Sequence, residues 1–288
     1  MSGGRRDFFR DIAAAARDAA QAATPSDAAG PMPNPEGAPP PEAEGPDPWL
    51  ERYSRQLVLP QWSEAAQDAL GAASVLVVGA GALGSPVATY LAGAGVGRLG
   101  IVDDGEVELS NLHRQHLHFT PDVGVPKAQS AVAKLGFLNP EVVLEPYQAR
   151  FDSAMVDGQD LVVDCTDSFE SRYAVNAACC TARVPLVEGG VVGLGGLVMS
   201  IRPGDTACYR CAFPDAPPPG AVPSCAEAGI LGPAAGVIGS LQALEAIKLL
   251  AGLPGTLAGA FLQVDLATAD FLRVAVARRG DCPDCRTL

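Results

Sequence analysis

The feature that most constrains this chain of 288 residues is a glycine-rich loop between a short apolar run and a helical segment. The six residues GAGALG follow the β-branched run SVLVV and precede a helix predicted at 84–94. Gly79 and Gly81 let a phosphate approach the backbone, Gly84 completes the pattern, and the helix N-terminus supplies unpaired N–H groups. This context predicts a βαβ unit with a nucleotide site; glycines that only permit a tight turn are the alternative.

The alternation of short apolar runs with helical patterns continues along the chain. It predicts strands at 99–102, 142–145, 161–164 and 185–188, and helices at 127–138 and 169–182. Such alternation is typical of an α/β fold with a Rossmann-like, doubly wound and mostly parallel sheet. The strands after residue 189 come without intervening helices. Together with a long helix predicted at 230–251, they are expected to form a mixed, antiparallel C-terminal part that covers the sheet as a second layer.

The first 48 residues differ in composition from the rest of the chain. Residues 1–24 are alanine-rich with interspersed charges and aromatic side chains, which predicts a short amphipathic helix of unknown role. Residues 25–48 are rich in proline and almost free of bulky apolar side chains, so burial cannot offset the entropy of ordering them. We therefore expect a disordered linker there and a single folded domain over residues 49–288.

Charge and hydropathy exclude two classes of partner. The formal net charge is −13, and no cluster of Lys and Arg suits phosphate contacts with a nucleic acid. No uncharged run approaches the ~20 apolar residues of a membrane span. Close cysteine pairs fit metal ligands in a reducing compartment better than disulfides, so a cytoplasmic location is expected.

Two cations and two carboxylates follow the glycine loop. Asp103 ends the next strand, at about the ~20-residue offset of a carboxylate that binds ribose hydroxyls. Arg114 and Lys127 lie within one loop-and-helix region and suit a triphosphate better than a nicotinamide, although a solvated pair is the alternative. Asp167 lies just past an apolar strand and could hold Mg²⁺. These residues favour ATP over NAD.

The cysteines fall into three groups. Two CxxC pairs, Cys208 with Cys211 and Cys282 with Cys285, supply the four thiolates of a closed tetrahedral Zn²⁺ site. The alternative, two redox pairs, lacks the helix-start context that lowers a thiol pKa. Cysteines 165, 179 and 180 are predicted to be buried apolar fillers. The third group is Cys225, which is unpaired in a loop bounded by Pro and Gly.

The histidines at positions 113, 116 and 118 share one short segment. No matching partner is evident for a catalytic or zinc-binding role, so they are predicted to be structural.

The ordered motifs RYSRQ, GAGALG, VDDGEVELSNLHRQ, VPK, CTD, CYRC, SCAEAG and CPDC resemble the MoeB/ThiF/HesA family of adenylyltransferases, relatives of ubiquitin-activating enzymes. The resemblance runs from about residue 49 to the C-terminus. It implies nucleotide contacts from Ala82, Asp103, Ser110, Asn111, Arg114, Lys127, Asp167 and Ser168. It also implies that Arg55 reaches into the site of a neighbouring protomer, and therefore a homodimer.

The resemblance implies a reaction as well. Such enzymes join the C-terminal glycine carboxylate of a ubiquitin-like sulfur-carrier protein of the MoaD/ThiS type, ending in Gly-Gly, to AMP and release pyrophosphate. The product serves sulfur transfer for molybdopterin, thiamine or related biosynthesis. A carboxylate is already a nucleophile, so no general base is needed; Arg55, Arg114, Lys127 and Mg²⁺ on Asp167 align it and neutralise charge.

Two points of the resemblance concern sulfur. Cys225 matches a cysteine that some relatives use for a persulfide or thioester and others do not need, so both roles stay open. No rhodanese-like segment follows Cys285, so a separate sulfur-donor protein is expected.

Three residues depart from the family pattern. Ala82 replaces a second adjacent glycine, Gly105 replaces a second Asp, and Ser168 replaces an Asn. These changes bear on Mg²⁺ geometry and rate more than on the type of reaction. Two other functions share parts of the pattern: an NAD-dependent oxidoreductase would use the same loop, and a non-catalytic scaffold could bind a ubiquitin-fold partner.

Overall fold

The computed structural model describes residues 47–218 and 229–288. The helices in these residues are α1 Pro48–Leu57, α2 Glu64–Ala72, α3 Gly84–Ala94, α4 Lys127–Leu138, α5 Phe169–Ala182, α6 Tyr209–Ala212 and α7 Gly232–Leu250. The strands are β1 Ser74–Val78, β2 Arg98–Val102, β3 Val143–Tyr147, β4 Leu161–Asp164, β5 Leu186–Val192, β6 Gly195–Ile201, β7 Ala260–Asp265 and β8 Asp270–Ala275. The helix predicted at 1–24 and the linker up to residue 46 lie outside the described residues. Pro48, the last residue of the predicted linker, is the first residue of α1, and Asp47 is the N-cap of this helix.

All eight strands of the described chain belong to one sheet, in the order β3-β2-β1-β4-β5-β6-β7-β8. The pairs from β3 to β5 are parallel, and the pairs from β5 to β8 are antiparallel. This confirms the α/β class, the parallel sheet and the antiparallel C-terminal part. The expected second layer of strands is wrong, because β6 to β8 extend the same sheet edge to edge. The predicted long helix, α7, does pack on a face of the sheet.

The sheet separates two apolar clusters, and β1 shows how the sequence makes them. Val75 and Val77 pack on one face, in a cluster that includes side chains of α3, α4 and α7. Leu76 and Val78 point to the other face, where α5 and the paired cysteines pack. Because β1 is buried on both faces, it reads as a continuous apolar run instead of an alternating one.

Helix α1 packs at the end of α3 that is remote from the glycine loop. Gly95 follows α3 with a φ of 90°, and a Cβ there would lie 2.5 Å from the Tyr53 hydroxyl of α1. Arg52 donates to the Leu138 carbonyl at the end of α4 over 3.0 Å. The 11 residues of α3 span about 16 Å at 1.5 Å per residue. Helix α1 is therefore about one helix length from the loop that opens α3.

None of the helices in the described ranges combines the length and apolar character required of a membrane span.

Candidate active site

The glycine loop joins β1 to α3 and lies against the end of β4. Gly79 has a φ of 101°, and a Cβ on it would come within 2.9 Å of the Cys165 carbonyl oxygen. A Cβ on Gly84 would lie 1.9 Å from the Gly79 carbonyl oxygen. Only glycine fits at either position. At Gly81 the nearest atom to a Cβ would be a Gln115 side-chain nitrogen at 3.6 Å, so this part of the loop leaves room for a ligand to approach the backbone.

Asp103, at the end of β2, ties the loop to the rest of the site. Its carboxylate accepts the Ala80 N–H and the Gly105 N–H, each over 2.8 Å. The α4 residue Lys127 donates its backbone N–H to the Gly105 carbonyl over 2.9 Å. Its ammonium would lie 3.5 Å from a Cβ on Gly105. The structure thus brings the loop, Asp103 and Lys127 together at the carboxyl edge of the parallel strands, where such sheets bind ligands.

The departure at Ala82 is accommodated without loss of the loop. Its methyl group packs against the apolar cluster beneath the loop. The side chain therefore faces the interior, and Ala82 does not adopt a positive φ that would call for glycine.

Ser110 and Asn111 lie in a 3-10 turn between β2 and α4. The Asn111 side-chain oxygen accepts the Glu108 N–H over 3.2 Å, and Ser110 donates its hydroxyl to the Glu108 carboxylate over 3.0 Å. Arg114 is half-buried, and its guanidinium donates to the Ser110 carbonyl over 2.9 Å. Both polar side chains of the turn are thus engaged within it. Arg114 presents its charge at the surface of the same loop.

Asp167 and Ser168 occupy the loop between β4 and α5. Asp167 is exposed, as a carboxylate open to a ligand must be. Ser168 is the N-cap of α5: its hydroxyl oxygen accepts the Ser171 N–H over 3.1 Å. The family resemblance implies a nucleotide contact for Ser168 and does not predict this capping role, which a serine just before a helical run indicates.

Among the predicted catalytic residues that the structure describes, Arg55 lies away from this edge. Arg55 lies on an exposed position of α1, at the far ends of α3 and α4. Cys225 lies outside the described residues.

His118 supports the glycine loop from below. It is buried, with Nε2 2.9 Å from the Ala80 carbonyl oxygen and Nδ1 2.9 Å from the Ser130 hydroxyl. A carbonyl only accepts, so Nε2 carries the proton and Nδ1 accepts from Ser130. Burial lowers the pKa of His118, which favours this neutral form. The structural role predicted for this histidine agrees with these contacts.

The two cysteine pairs meet at the other face of the sheet. The four sulfur atoms of Cys208, Cys211, Cys282 and Cys285 are buried and lie within 4.8 Å of one another. Three of the sulfur–sulfur distances are 3.4, 3.6 and 3.8 Å. Tetrahedral Zn²⁺ with bonds of about 2.3 Å would separate its sulfur ligands by about 3.8 Å. The donor set and its spacing therefore fit Zn²⁺.

The remaining cysteines of the described chain, at 165, 179 and 180, are buried as predicted. Side-chain hydrogen bonding with Cys180, followed by burial, raises the pKa of Cys208. Cys180 therefore contacts the four-cysteine cluster in addition to filling the core.

Comparison with known proteins identifies the family. The model of the ThiF family matches residues 53–285. The chain belongs to the ThiF family. A sulfur carrier protein adenylyltransferase of Thermus thermophilus is 48% identical over 245 residues, covering 82% of this chain and 90% of that protein. The SAMP-activating enzyme E1 of Haloferax volcanii is 45% identical over 240 residues, covering 82% and 88%.

Solved structures agree with the fold. The crystal structure of E. coli MccB superimposes with a TM-score of 0.73 at 25% identity, covering 81% of this chain and 72% of that one. This member of the ThiF family is thus an adenylyltransferase of the MoeB/ThiF type, as the motifs predicted, and the NAD-dependent oxidoreductase is set aside.

A group of buried polar residues, not predicted from the sequence, lies beneath the ThiF-family site. They include Asp164 at the end of β4, Glu188 in β5, Arg172 of α5 and Gln242 of α7. Glu188 is the one that a sequence signal could have revealed, because it interrupts an otherwise apolar strand, LVEGGVV. A charged residue inside a fully buried strand needs a partner, and here that partner comes from a helix.

Proposed function

We propose that this ThiF-family enzyme uses ATP to adenylylate the C-terminal glycine carboxylate of a ubiquitin-like sulfur-carrier protein, releasing pyrophosphate. The observation that carries the proposal is the convergence of the glycine loop, Asp103 and Lys127 at one edge of the sheet. The similarity to a sulfur carrier protein adenylyltransferase and to a SAMP-activating enzyme supports the choice of a carrier protein as substrate.

The residues of this edge suit nucleotidyl transfer. The loop backbone and the N-terminus of α3 would receive phosphate oxygens, and the Asp103 carboxylate would accept ribose hydroxyls with the lone pairs left by its two N–H donors. Lys127 and Arg114 would neutralise charge that develops on the phosphates. The carrier carboxylate needs alignment with the α-phosphorus more than it needs a base.

Asp167 fits a hard cation, because it offers an exposed carboxylate at the mouth of the same edge. Mg²⁺ held there would neutralise the triphosphate. Gly105 removes the second carboxylate of the family pattern, and a Cβ at this position would lie 3.1 Å from Asp103 Oδ1 and 3.5 Å from the Lys127 ammonium. We therefore assign more of the charge compensation to Lys127 than to a second acidic ligand.

A role for Arg55 in this reaction requires a second copy of the chain. Helix α1 is about one helix length from the glycine loop of its own chain, so its guanidinium serves this reaction only if it reaches the site of a partner protomer. A homodimer in which the two α1 helices are exchanged between sites meets this requirement.

Zn²⁺ in the four-cysteine cluster would have a structural role. A closed site has no open coordination position, and the two pairs are separated by more than 70 residues, so the metal would fasten the C-terminal tail to the body of the domain. The sulfur–sulfur spacing supports this assignment.

The experiment is ATP–pyrophosphate exchange with the purified full chain. Exchange is expected with a carrier that ends in Gly-Gly and not with the same carrier lacking its last glycine. Lys127→Ala should abolish exchange. Arg150→Ala is the matched control, since it removes an exposed cation paired with Asp104. A carrier-independent signal, or no exchange by the native chain, contradicts the proposal; the latter result would favour the non-catalytic scaffold. Carriers of the molybdopterin and thiamine types assayed side by side decide the pathway.

A further inference from the structure

A buried ionisable cluster lies directly beneath the loop that carries Asp167. Asp164 and Glu188 are paired in register on β4 and β5, and both are completely buried. The Nε of Arg172, from α5, lies 3.5 Å from a Glu188 carboxylate oxygen. A Cβ on Gly190 would be 2.5 Å from the Arg172 guanidinium, so this glycine makes room for the arginine. The cluster is therefore built into the fold.

The cluster holds both backbone polar groups of the residue that precedes Asp167. Thr166 donates its N–H to Asp164 Oδ1 over 2.8 Å. Its carbonyl accepts from Arg172 Nη2 over 3.3 Å. Thr166 is thus held at its N–H, in the peptide unit before it, and at its C=O, in the peptide unit that leads to Asp167, so the cluster sets the direction in which the next residue leaves the sheet.

One of the two carboxyl groups in the cluster must be protonated to avoid a buried net charge. Two ionised carboxylates beside one guanidinium would leave a net negative charge in the interior, which is strongly disfavoured. Within the described ranges, no N–H or O–H donor outside the pair reaches Asp164 Oδ2 or either Glu188 oxygen within hydrogen-bonding geometry. A protonated Glu188 makes the cluster neutral overall, and its hydroxyl supplies a donor for Asp164 Oδ2.

Burial raises the pKa of both carboxyls, and that of Glu188 rises well above its ordinary range. Asp164 accepts the Thr166 N–H, which favours its ionised form, whereas neither Glu188 oxygen accepts a hydrogen bond from the part of the chain that the structure describes, so Glu188 holds the shared proton. The charged and titratable groups that face it are Asp164 and Cys165 at the end of β4, Arg172 and Cys179 of α5, and Tyr209 of α6.

We propose that Glu188 is a positioning residue for the adenylylation reaction: as a neutral acid bound to Asp164, it holds Arg172 and thereby the Thr166–Asp167 peptide. Glu188 touches neither nucleotide nor carrier in this assignment, and it acts through Arg172 on the carboxylate that faces Mg·ATP. This inference rests on the proposed function and deepens it.

The experiment compares Glu188→Ala with Glu188→Gln in the full chain. The glutamine keeps the volume, the neutral charge and one N–H donor toward Asp164, whereas alanine removes all three. Glu245→Ala is the matched control. Glu245 is another buried carboxylate, with Ser200 Oγ and the Leu257 N–H each 2.6 Å from it and Lys248 as its cation, and none of these contacts reaches the loop.

Glu188→Ala is expected to lower kcat of exchange by about tenfold or more, with KM for ATP changed by less than about threefold, because a displacement of the reacting groups is felt most in the transition state. Glu188→Gln should stay within about twofold of the native kcat, and Glu245→Ala should lose thermal stability while its kcat per folded molecule is kept. Native kcat in folded Glu188→Ala, or equal losses in the alanine and glutamine variants, overturns the proposal.

Amide hydrogen exchange of residues 161–172 provides a readout that does not depend on activity. Faster exchange of the Thr166 amide in Glu188→Ala, with native protection in Glu188→Gln and Glu245→Ala, supports the positioning role. Unchanged protection of Thr166 in Glu188→Ala overturns it. If the native chain shows no pyrophosphate exchange, the proposed function fails, while the amide measurement still decides whether Glu188 positions the loop.

Discussion

Alanine at position 84 tests how closely the glycine loop is fitted. The added Cβ would lie 1.9 Å from the Gly79 carbonyl oxygen and 2.9 Å from the Gly79 carbonyl carbon. Real contacts of this kind stay beyond about 3 Å, so the loop and the start of α3 must separate by roughly 1 Å. A displacement of about 1 Å can cost a reaction ~100-fold, equivalent to about 2.7 kcal/mol of transition-state stabilisation. Overpacking should also lower the free energy of unfolding by about 1 to 3 kcal/mol.

The assay is kcat/KM for ATP in pyrophosphate exchange, with the thermal midpoint measured in parallel. The control is Gly236→Ala in α7, where a Cβ would meet nothing within 4 Å. That change should stabilise the helix by about 0.5 to 1 kcal/mol and leave exchange intact. The reasoning is refuted if folded Gly84→Ala keeps kcat/KM within about threefold of the native value, because the loop would then tolerate the displacement.

Three further outcomes are expected. Asp103→Asn places an amide N–H against one of two N–H donors, so it should raise KM for ATP and lower the free energy of unfolding by about 1 to 3 kcal/mol; an unchanged KM would contradict the assignment of Asp103. Cys285→Ser, or a strong chelator, should remove one Zn²⁺ per chain and lower the thermal midpoint, as metal analysis and calorimetry would show; a native chain without bound Zn²⁺ contradicts it. Because Glu188 has a raised pKa, the folded chain retains a proton that the unfolded chain releases above the ordinary value of 4.5, so the free energy of unfolding falls as pH rises. Glu188→Gln should flatten that dependence in denaturant titrations at several pH values, and an unaltered slope would show that Glu188 carries no proton.

Most of the fold can be predicted because each helix and strand has a recognisable pattern of apolar residues in its own short segment. The runs that form β1 and β4, and the patterns of α3, α4 and α5, were predicted with the bounds that the structure has. The error concerned β6 to β8, where apolar strands look the same whether they extend a sheet or cover it. Strand type is a local property, whereas the choice of neighbour depends on contacts far along the chain.

The same distinction between local patterns and long-range contacts applies to the residues of the site. Asp103 and Lys127 follow recognisable elements at fixed offsets, so their convergence could be anticipated from the order of the motifs. The contact between Glu188 and Arg172 could not, since it joins a strand to a helix that precedes it, and nothing in either local pattern specifies the partner. Cys225 lies outside the described residues, so its role stays a prediction. The separate sulfur-donor protein and the cytoplasmic location also stay predictions.

The strand order has a consequence for the timing of folding. The hairpins β5-β6 and β7-β8 join neighbours in sequence, whereas β1 pairs with β4 across more than 80 residues, as Val75 opposite Leu161 shows. Closing so long a loop costs conformational entropy before the contacts between β1 and β4 can form. The strand pairs that are close in sequence therefore form first, and the distant pair follows. Gly79 adopts its final contact with Cys165 only after β4 has docked beside β1. The glycine loop therefore reaches its final structure late in folding. Refolding measured at this loop should be slower than refolding measured at the two hairpins.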